Sequence, residues 1–311
     1  MPIAKPTQSG KMVADKGDAT MTARYINPYT DFGFKKLFRE EASKDLLIDF
    51  LNSILPQDRQ IADIEFHGLE KQGAIKESRK AVFDVHCTAK GSGERFIVEM
   101  QKAEQHYFQD RALFYSTFAI QEQAVRGNWD FQLNAVYFVA ILDFVYDKDE
   151  DRKKFFREVS LKDQDGEEFY DKYYQYFFQM PLFNTPLLEL KTQRDKWFYF
   201  LRNLESFTDI PAILQEPVFE RAFAAAARCN LSIEESRQYE ADLKVYRDNY
   251  AVMKTAVDQG RAEGEAIGEA RGRAEGKAER DQIVRNMKQE GLDTDLIVRM
   301  TGLSKKEIDS L

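Results

Sequence analysis

The chain has 311 residues, 43% of them hydrophobic, with 24 Phe and 14 Tyr, so it can bury a sizeable core and is too aromatic for its middle to be disordered. A net charge of −8 argues against a protein that coats nucleic acid by bulk electrostatics, while leaving room for one local basic groove. Two cysteines exclude a disulfide framework, no apolar run approaches the ~20 residues of a membrane helix, and none follows a basic start as in a secretory signal. The expectation is a soluble, reduced, cytoplasmic protein with no membrane partner.

Residues 1–24 lack apolar periodicity and read as a flexible tail. From Tyr25 the pattern changes. Phe34, Leu37 and Phe38 recur at helical spacing, as do Leu46, Leu47, Phe50, Leu51 and Ile54, which predicts two helices ending near Pro56. Strands are expected over 61–66, 80–90 and 94–101. A long helix is expected over 103–126, with Leu113, Phe114, Phe118 and Ile120 toward the core. The run NAVYFVAILDF (134–144) is short, apolar and rich in β-branched and aromatic residues, the pattern of a strand buried on both faces. Residues 155–162 and 169–180 predict a second hairpin around DQDGEE, and 186–250 read as helical, with Trp197, Phe200, Leu201 and Leu204 on a core face.

The last quarter differs. Gly260, Gly264, Gly268, Gly272 and Gly276 alternate with alanines in a four-residue repeat. Each helical Gly costs ~1 kcal/mol relative to Ala. The segment is therefore either a helix whose small-residue face admits another backbone, with a right-handed supercoil, or a semi-flexible charged linker. Residues 281–311 predict three short helices, the first ended by Gly291, the second near Gly302, the third opened by a Ser304–Glu307 capping box. Over 283–311, Arg285, Lys288, Arg299, Lys305 and Lys306 are balanced by Glu290, Asp293, Asp295, Glu307 and Asp309. Such a neutral unit favours a contact or oligomerisation module over a DNA reader.

The stretch AVFDVHCTAKGSGERFIVEMQ (81–101) carries the chemistry. Gly91-Ser92 suits a two-residue type II′ turn. That turn sets Cys87 opposite Phe96, Val85 opposite Val98 and Phe83 opposite Met100, an apolar face for a core. On the other face Asp84 falls opposite Glu99, with Gln101 two residues on and His86 opposite Ile97. A one-residue slip would mix polar and apolar on both faces. Two carboxylates opposed on neighbouring strands repel, and both stay ionised in a half-buried site only with a cation between them. Oxygen ligands of this kind suit Mg²⁺ or Mn²⁺. Asp31 and Lys35 read as an i, i+4 surface pair. Arg111 and Tyr115 read as phosphate contacts or a helix-surface stacking pair. Lys76, Arg79 and Lys80 read as the lining of a DNA groove or a solvated loop.

Asp84 followed by Glu99-Met100-Gln101 resembles the PD-(D/E)XK nuclease pattern. NPYTDFGFKKLF, LLIDFLNSIL, RALFYSTFAIQEQ, the Gly-repeat and MTGLSKKEI narrow the resemblance to the recombination-promoting nuclease / putative transposase family of that superfamily. The resemblance implies an α/β fold, a mixed sheet flanked by helices, with a helical C-terminal extension. The chain is then expected to divide into a nuclease-like core with the second hairpin over 25–185, a helical region over 186–255, the Gly-repeat helix or linker over 256–280 and the three-helix unit over 281–311. The resemblance implies metal-dependent DNA endonuclease activity, with Asp84 and Glu99 as metal-binding carboxylates and Asp31 approaching the metal from the first helix. Gln101 stands where the superfamily has Lys. An amide only orients by hydrogen bonds, so a cation must come from elsewhere; Lys102 would point to the opposite face, and Arg111 is better placed. Lys35, Lys80, Arg111 and Tyr115 are candidate DNA contacts. The partners expected are DNA and further copies of the chain, held through the C-terminal helices. A different class of protein stays open: a silent nuclease scaffold kept for self-association.

Overall fold

The computed structural model describes residues 23–71, 81–103, 106–124, 127, 129–147 and 153–311. The tail expected over 1–24 lies outside the described residues except for 23 and 24, and Lys76, Arg79 and Lys80 lie outside them too. The chain divides into two compact units, 1–246 and 247–311.

In the first unit, α1 (Asp31–Phe38) and α2 (Lys44–Ile54) follow the two apolar stripes of the sequence. Strands β1 (Ile64–Phe66), β2 (Glu70–Lys71), β3 (Ala81–Val82), β4 (Val85–Ala89) and β5 (Arg95–Gln101) come next. Then come α3 (Phe108–Gln121), β6 (Val136–Leu142), β7 (Phe156–Lys162), β8 (Glu168–Gln179), α4 (Gln193–Asn203) and α5 (Pro217–Ala226). Among the described residues, six strands form one mixed sheet in the order β1-β4-β5-β6-β8-β7, and β2 and β3 form a separate ribbon. β6 lies parallel to both β5 and β8, and every residue in it is buried. That is why its sequence is continuously apolar and does not alternate.

Each sheet face has its own core. Val85, Cys87, Phe96, Val98, Met100, Tyr137, Val139 and Ile141 join the aromatic cluster built with α1, α2, α4 and α5, where Trp197, Phe198 and Phe200 are buried. Ile97, Phe138, Ala140 and Leu142 face α3. Burial of each such large side chain contributes roughly 1.5–3 kcal/mol. α3 is shorter than the sequence predicts. It begins beyond Tyr107, which takes a left-handed conformation (φ 63°). Its sheet-facing side is Phe108, Ala112, Ser116 and Ala119 together with Phe118, whereas Leu113 and Phe114 are 55% and 43% exposed. Small residues at Ala112, Ser116 and Ala119 let the helix approach the sheet closely, Phe118 and Ile120 pack inward as expected, and Leu113 and Phe114 turn outward.

A helix, α6 (Ile233–Gln289), contains the division between the units. In the first unit its Tyr239 and Leu243 join the core. In the second, residues 254–280 are helical and exposed throughout, the Gly-repeat included. α7 (Thr294–Thr301) and α8 (Lys305–Asp309) then pack around Val284, Ile297, Leu303 and Ile308. Gly302 caps α7 in the left-handed region, and Ser304 and Glu307 form a reciprocal capping box. No helix among the described residues is long and apolar enough to cross a membrane.

Candidate active site

The β4–β5 ladder pairs Val85 with Val98, His86 with Ile97 and Cys87 with Phe96. The turn is looser than the expected two-residue type. Ala89 N–H donates to Glu94 O, Gly93 N–H donates to Ala89 O, and both Gly91 and Gly93 have positive φ. Lys90 N–H instead reaches Asp63 O next to β1. The register survives because the alternation of the strands specifies it independently of the turn.

Below Val85 the strand breaks. Phe83 N–H donates to Leu69 O, so the segment before β4 belongs to the β2–β3 ribbon. Phe83 consequently packs in the α3-side cluster and not over Met100. Asp84 occupies the break, and side chains close the gap there. Asp84 Oδ2 accepts from Met100 N at 2.7 Å, and Glu99 Oε1 accepts from Asp84 N at 3.2 Å. Gln101 Nε2 donates to Glu99 Oε2 at 3.0 Å, and Arg111 from the first turn of α3 donates to Gln101 Oε1. The Arg111 guanidinium also lies 5.8 Å from the centre of the Tyr115 ring.

Glu99 is 4% exposed. Burial pushes its carboxyl well above the usual range and the neighbouring Asp84 charge pushes it further, while the Asp84 N–H, Arg111 and Gln101 act in the opposite direction. Asp84 is also raised, first by burial, then by Asp31, and is opposed by the Met100 N–H, Lys35 and Lys102. Asp31 and Lys35 form their i, i+4 pair at 2.9 Å, and both lie within electrostatic reach of Asp84. The NPYTDFG stretch fixes that helix start. Thr30 Oγ1 accepts from Gly33 N, and Thr30 donates to Asn27 O. A Cβ on Gly33 would sit 2.2 Å from Asn27 O, so only glycine fits. From α6, Tyr239 accepts from Asn27 N and Asp242 accepts from Phe32 N.

The structure thus brings Asp84, Glu99, Gln101, Arg111 and Tyr115 together, with Asp31 and Lys35 beside them; Lys80 lies outside the described residues. His86 is buried, 3.6 Å from Glu122 and against Phe83 and His67, as a packed histidine. Sequence reasoning missed two neighbours. Lys102 acts on Asp84 despite the alternation argument, because β5 ends at Gln101 and alternation ends with it. Asp143, just past β6, donates its N–H to Gln101 O at 2.9 Å; the signal was a lone carboxylate closing an apolar strand. Burial raises its carboxyl to about 6, and Tyr246 donates to it at 3.0 Å.

The mixed sheet flanked by helices, with Asp84 and Glu99 where the hairpin meets the parallel strands, is the fold that a family comparison also indicates. Residues 28–256 match the family model described as PD-(D/E)XK nuclease family transposase. The chain belongs to that family. Comparison with curated proteins and with solved structures finds no match for the chain. PD-(D/E)XK nucleases generally use divalent metal ions. Among the described residues no three His, Cys, Asp or Glu side chains are grouped to hold one. A buried Glu99, whose proton affinity the half-buried Asp84 raises, nonetheless fits with that neighbour a hard divalent cation. Mg²⁺ is commonly held by one or two carboxylates, with water and phosphate oxygens completing its shell.

Proposed function

We propose that this chain is a metal-dependent deoxyribonuclease of the recombination-promoting, transposase-like type, hydrolysing phosphodiester bonds in DNA. The observation that carries the reading is the pair of hydrogen-bonded neighbours Asp84 and Glu99, the first half-buried and the second buried, each disfavoured as an anion by burial and by a nearby carboxylate, Asp31 for Asp84 and Asp84 for Glu99. Their role is to hold Mg²⁺, or Mn²⁺, with Asp31 as a third acidic group nearby. A bound ion of this class lowers the pKa of a coordinated water and offsets charge growing on the phosphate. Glu99 is oriented for this by the Asp84 N–H and by Gln101, and Asp84 by the Met100 N–H. Gln101 is also suited to orient the attacking water. Lys35, Lys80, Arg111 and Tyr115 are the proposed contacts to the DNA backbone. A mobile-element protein of this kind works in the cytoplasm, and we place its self-association in the C-terminal helices.

The deciding experiment is cleavage of supercoiled plasmid with and without Mg²⁺. Wild type should nick only with the ion, and Asp84→Ala should abolish nicking. The alternative, a nuclease scaffold retained for association, is favoured by Gln at position 101. It predicts no Mg²⁺-dependent nicking by either protein.

A further inference from the structure

Gln101 occupies the position of the lysine in the superfamily motif, and the structure shows what accompanies that exchange. A guanidinium carries only donors, so the Gln101 atom that Arg111 meets must be the carbonyl Oε1. That contact settles the amide orientation and turns Nε2 toward Glu99 Oε2, at 3.0 Å. One amide therefore bridges the Arg111 guanidinium and the Glu99 carboxylate, and the positive charge of Arg111 stands one side chain away from Glu99.

Arg111 is held from its other side. Its guanidinium lies against Tyr115, and the Tyr115 ring packs edge-on to Phe83 at 5.1 Å and 85°. Phe83 directly precedes Asp84, whose N–H returns to Glu99. The contacts close a circuit: Asp84, Glu99, Gln101, Arg111, Tyr115, Phe83. The break in the strand at Asp84 sends Phe83 toward α3 and so completes it. An arginine held in this way has Gln101 at its fork and Tyr115 at its face.

We propose that Arg111 is a positioning residue: the cation of this site has moved from strand β5 to helix α3, and Arg111 acts on Glu99 through Gln101 and not as a DNA contact. The proposal rests on the nuclease reading and replaces the DNA-contact role of Arg111. It makes an asymmetric claim. Restoring the motif lysine by Gln101→Lys sets a second cation against Arg111 and breaks the amide bridge, so it lowers activity. The same lysine installed after Arg111 is removed supplies the missing charge, so it restores activity.

The test uses the full chain and four proteins: wild type, Arg111→Met, Gln101→Lys and the double variant. Arg111→Met keeps an unbranched stem over Tyr115. Plasmid nicking in Mg²⁺ should show kcat reduced ~100-fold in Arg111→Met, the loss typical of one pre-organised donor, with KM for DNA changed less than about threefold. Gln101→Lys should be about tenfold slower than wild type, and the double variant should recover at least about tenfold over Arg111→Met. Mn²⁺ titration of the DNA-free proteins by calorimetry supplies the second readout, with affinity about tenfold weaker in Arg111→Met, the usual cost of losing a partner that orients a ligand. A raised KM with unchanged kcat and unchanged Mn²⁺ affinity overturns the proposal and makes Arg111 a DNA contact, with the nuclease reading intact. A faster Gln101→Lys overturns it as well, and that variant decides the matter even if Arg111→Met fails to fold. Absence of Mg²⁺-dependent nicking in wild type sinks the nuclease reading itself. The Mn²⁺ comparison still tests the Arg111–Gln101 link in that case: equal affinities in wild type and Arg111→Met overturn it.

Discussion

Asp143→Asn should make the protein more stable at neutral pH, and the size of the gain can be worked out. Asp143 follows the last residue of β6, its backbone bonded to Gln101 and its carboxylate accepting from Tyr246. Burial is the largest influence on it and moves the carboxyl from the ordinary 3.8 to about 6. The folded protein therefore binds this proton more tightly than the unfolded chain does. The stabilisation that follows is fully present below the unfolded value and is lost as pH rises from about 4 to about 6. At about 1.4 kcal/mol for each tenfold step, the loss amounts to roughly 3 kcal/mol at neutral pH. Asn keeps an acceptor for the Tyr246 hydroxyl and removes the charge. The variant should gain up to ~3 kcal/mol near neutral pH, and its advantage should shrink toward zero near pH ~4. Urea unfolding of both proteins across that range measures it. A variant destabilised at neutral pH would refute the reasoning and show that the fold requires the charge, as it would if Asp143 helped to hold a cation.

Glu99→Gln should abolish Mg²⁺-dependent nicking while leaving the apo fold intact or slightly stabilised, since it removes a buried charge that the neighbouring Asp84 repels; nicking at the wild-type rate would remove Glu99 from the metal site. Gly33→Ala should destabilise the first unit by about 1–3 kcal/mol in denaturant melts, because the added methyl meets Asn27 O and Thr30 Oγ1; an unchanged midpoint would mean that the α1 start yields freely. Thr30→Ala removes the α1 cap and should cost about 1 kcal/mol in the same melts; no loss would show that Asp242 suffices to hold that end.

Much of the hairpin register is legible in the sequence because it rests on a period of two. Alternating Val85, Cys87 and Phe96, Val98 admit only one pairing that keeps an apolar face whole. The buried β6 is legible from composition in the same way. What escaped depends on partners distant in the chain. Nothing local says that Phe83 leaves β4 to bond with Leu69, yet that exchange opens the break in which Asp84 sits. The reach of Lys102 is of the same kind, set by where β5 ends; the nearness of Asp31 to Asp84, which the family resemblance implies, likewise has no local signal of its own. On α3 the expectation holds for Phe118 and Ile120 and fails for Leu113 and Phe114, for another reason. Large side chains usually mark a core face, but at the middle of a helix pressed on a sheet small ones fit better, so Ala112, Ser116 and Ala119 lie inside between Phe108 and Phe118 while Leu113 and Phe114 are outside.

The Gly-repeat poses an energetic question that its own unit leaves open. Five glycines in a helix cost ~5 kcal/mol relative to alanine. The ion pairs Arg261–Glu265, Glu269–Arg273 and Arg271–Glu275 are exposed i, i+4 pairs and return about 0.3–0.5 kcal/mol each, well under half of that. No burial compensates, since residues 254–280 are exposed throughout. A helix with a small-residue face regains the difference when another backbone packs along it, and a period of four implies a right-handed supercoil. Cutting the chain after Asn249 should therefore lower the mass seen by light scattering and leave Mg²⁺-dependent nicking measurable. A truncated chain that keeps its mass and loses DNA binding would show instead that the C-terminal helices read DNA, against the balanced charge of residues 283–311.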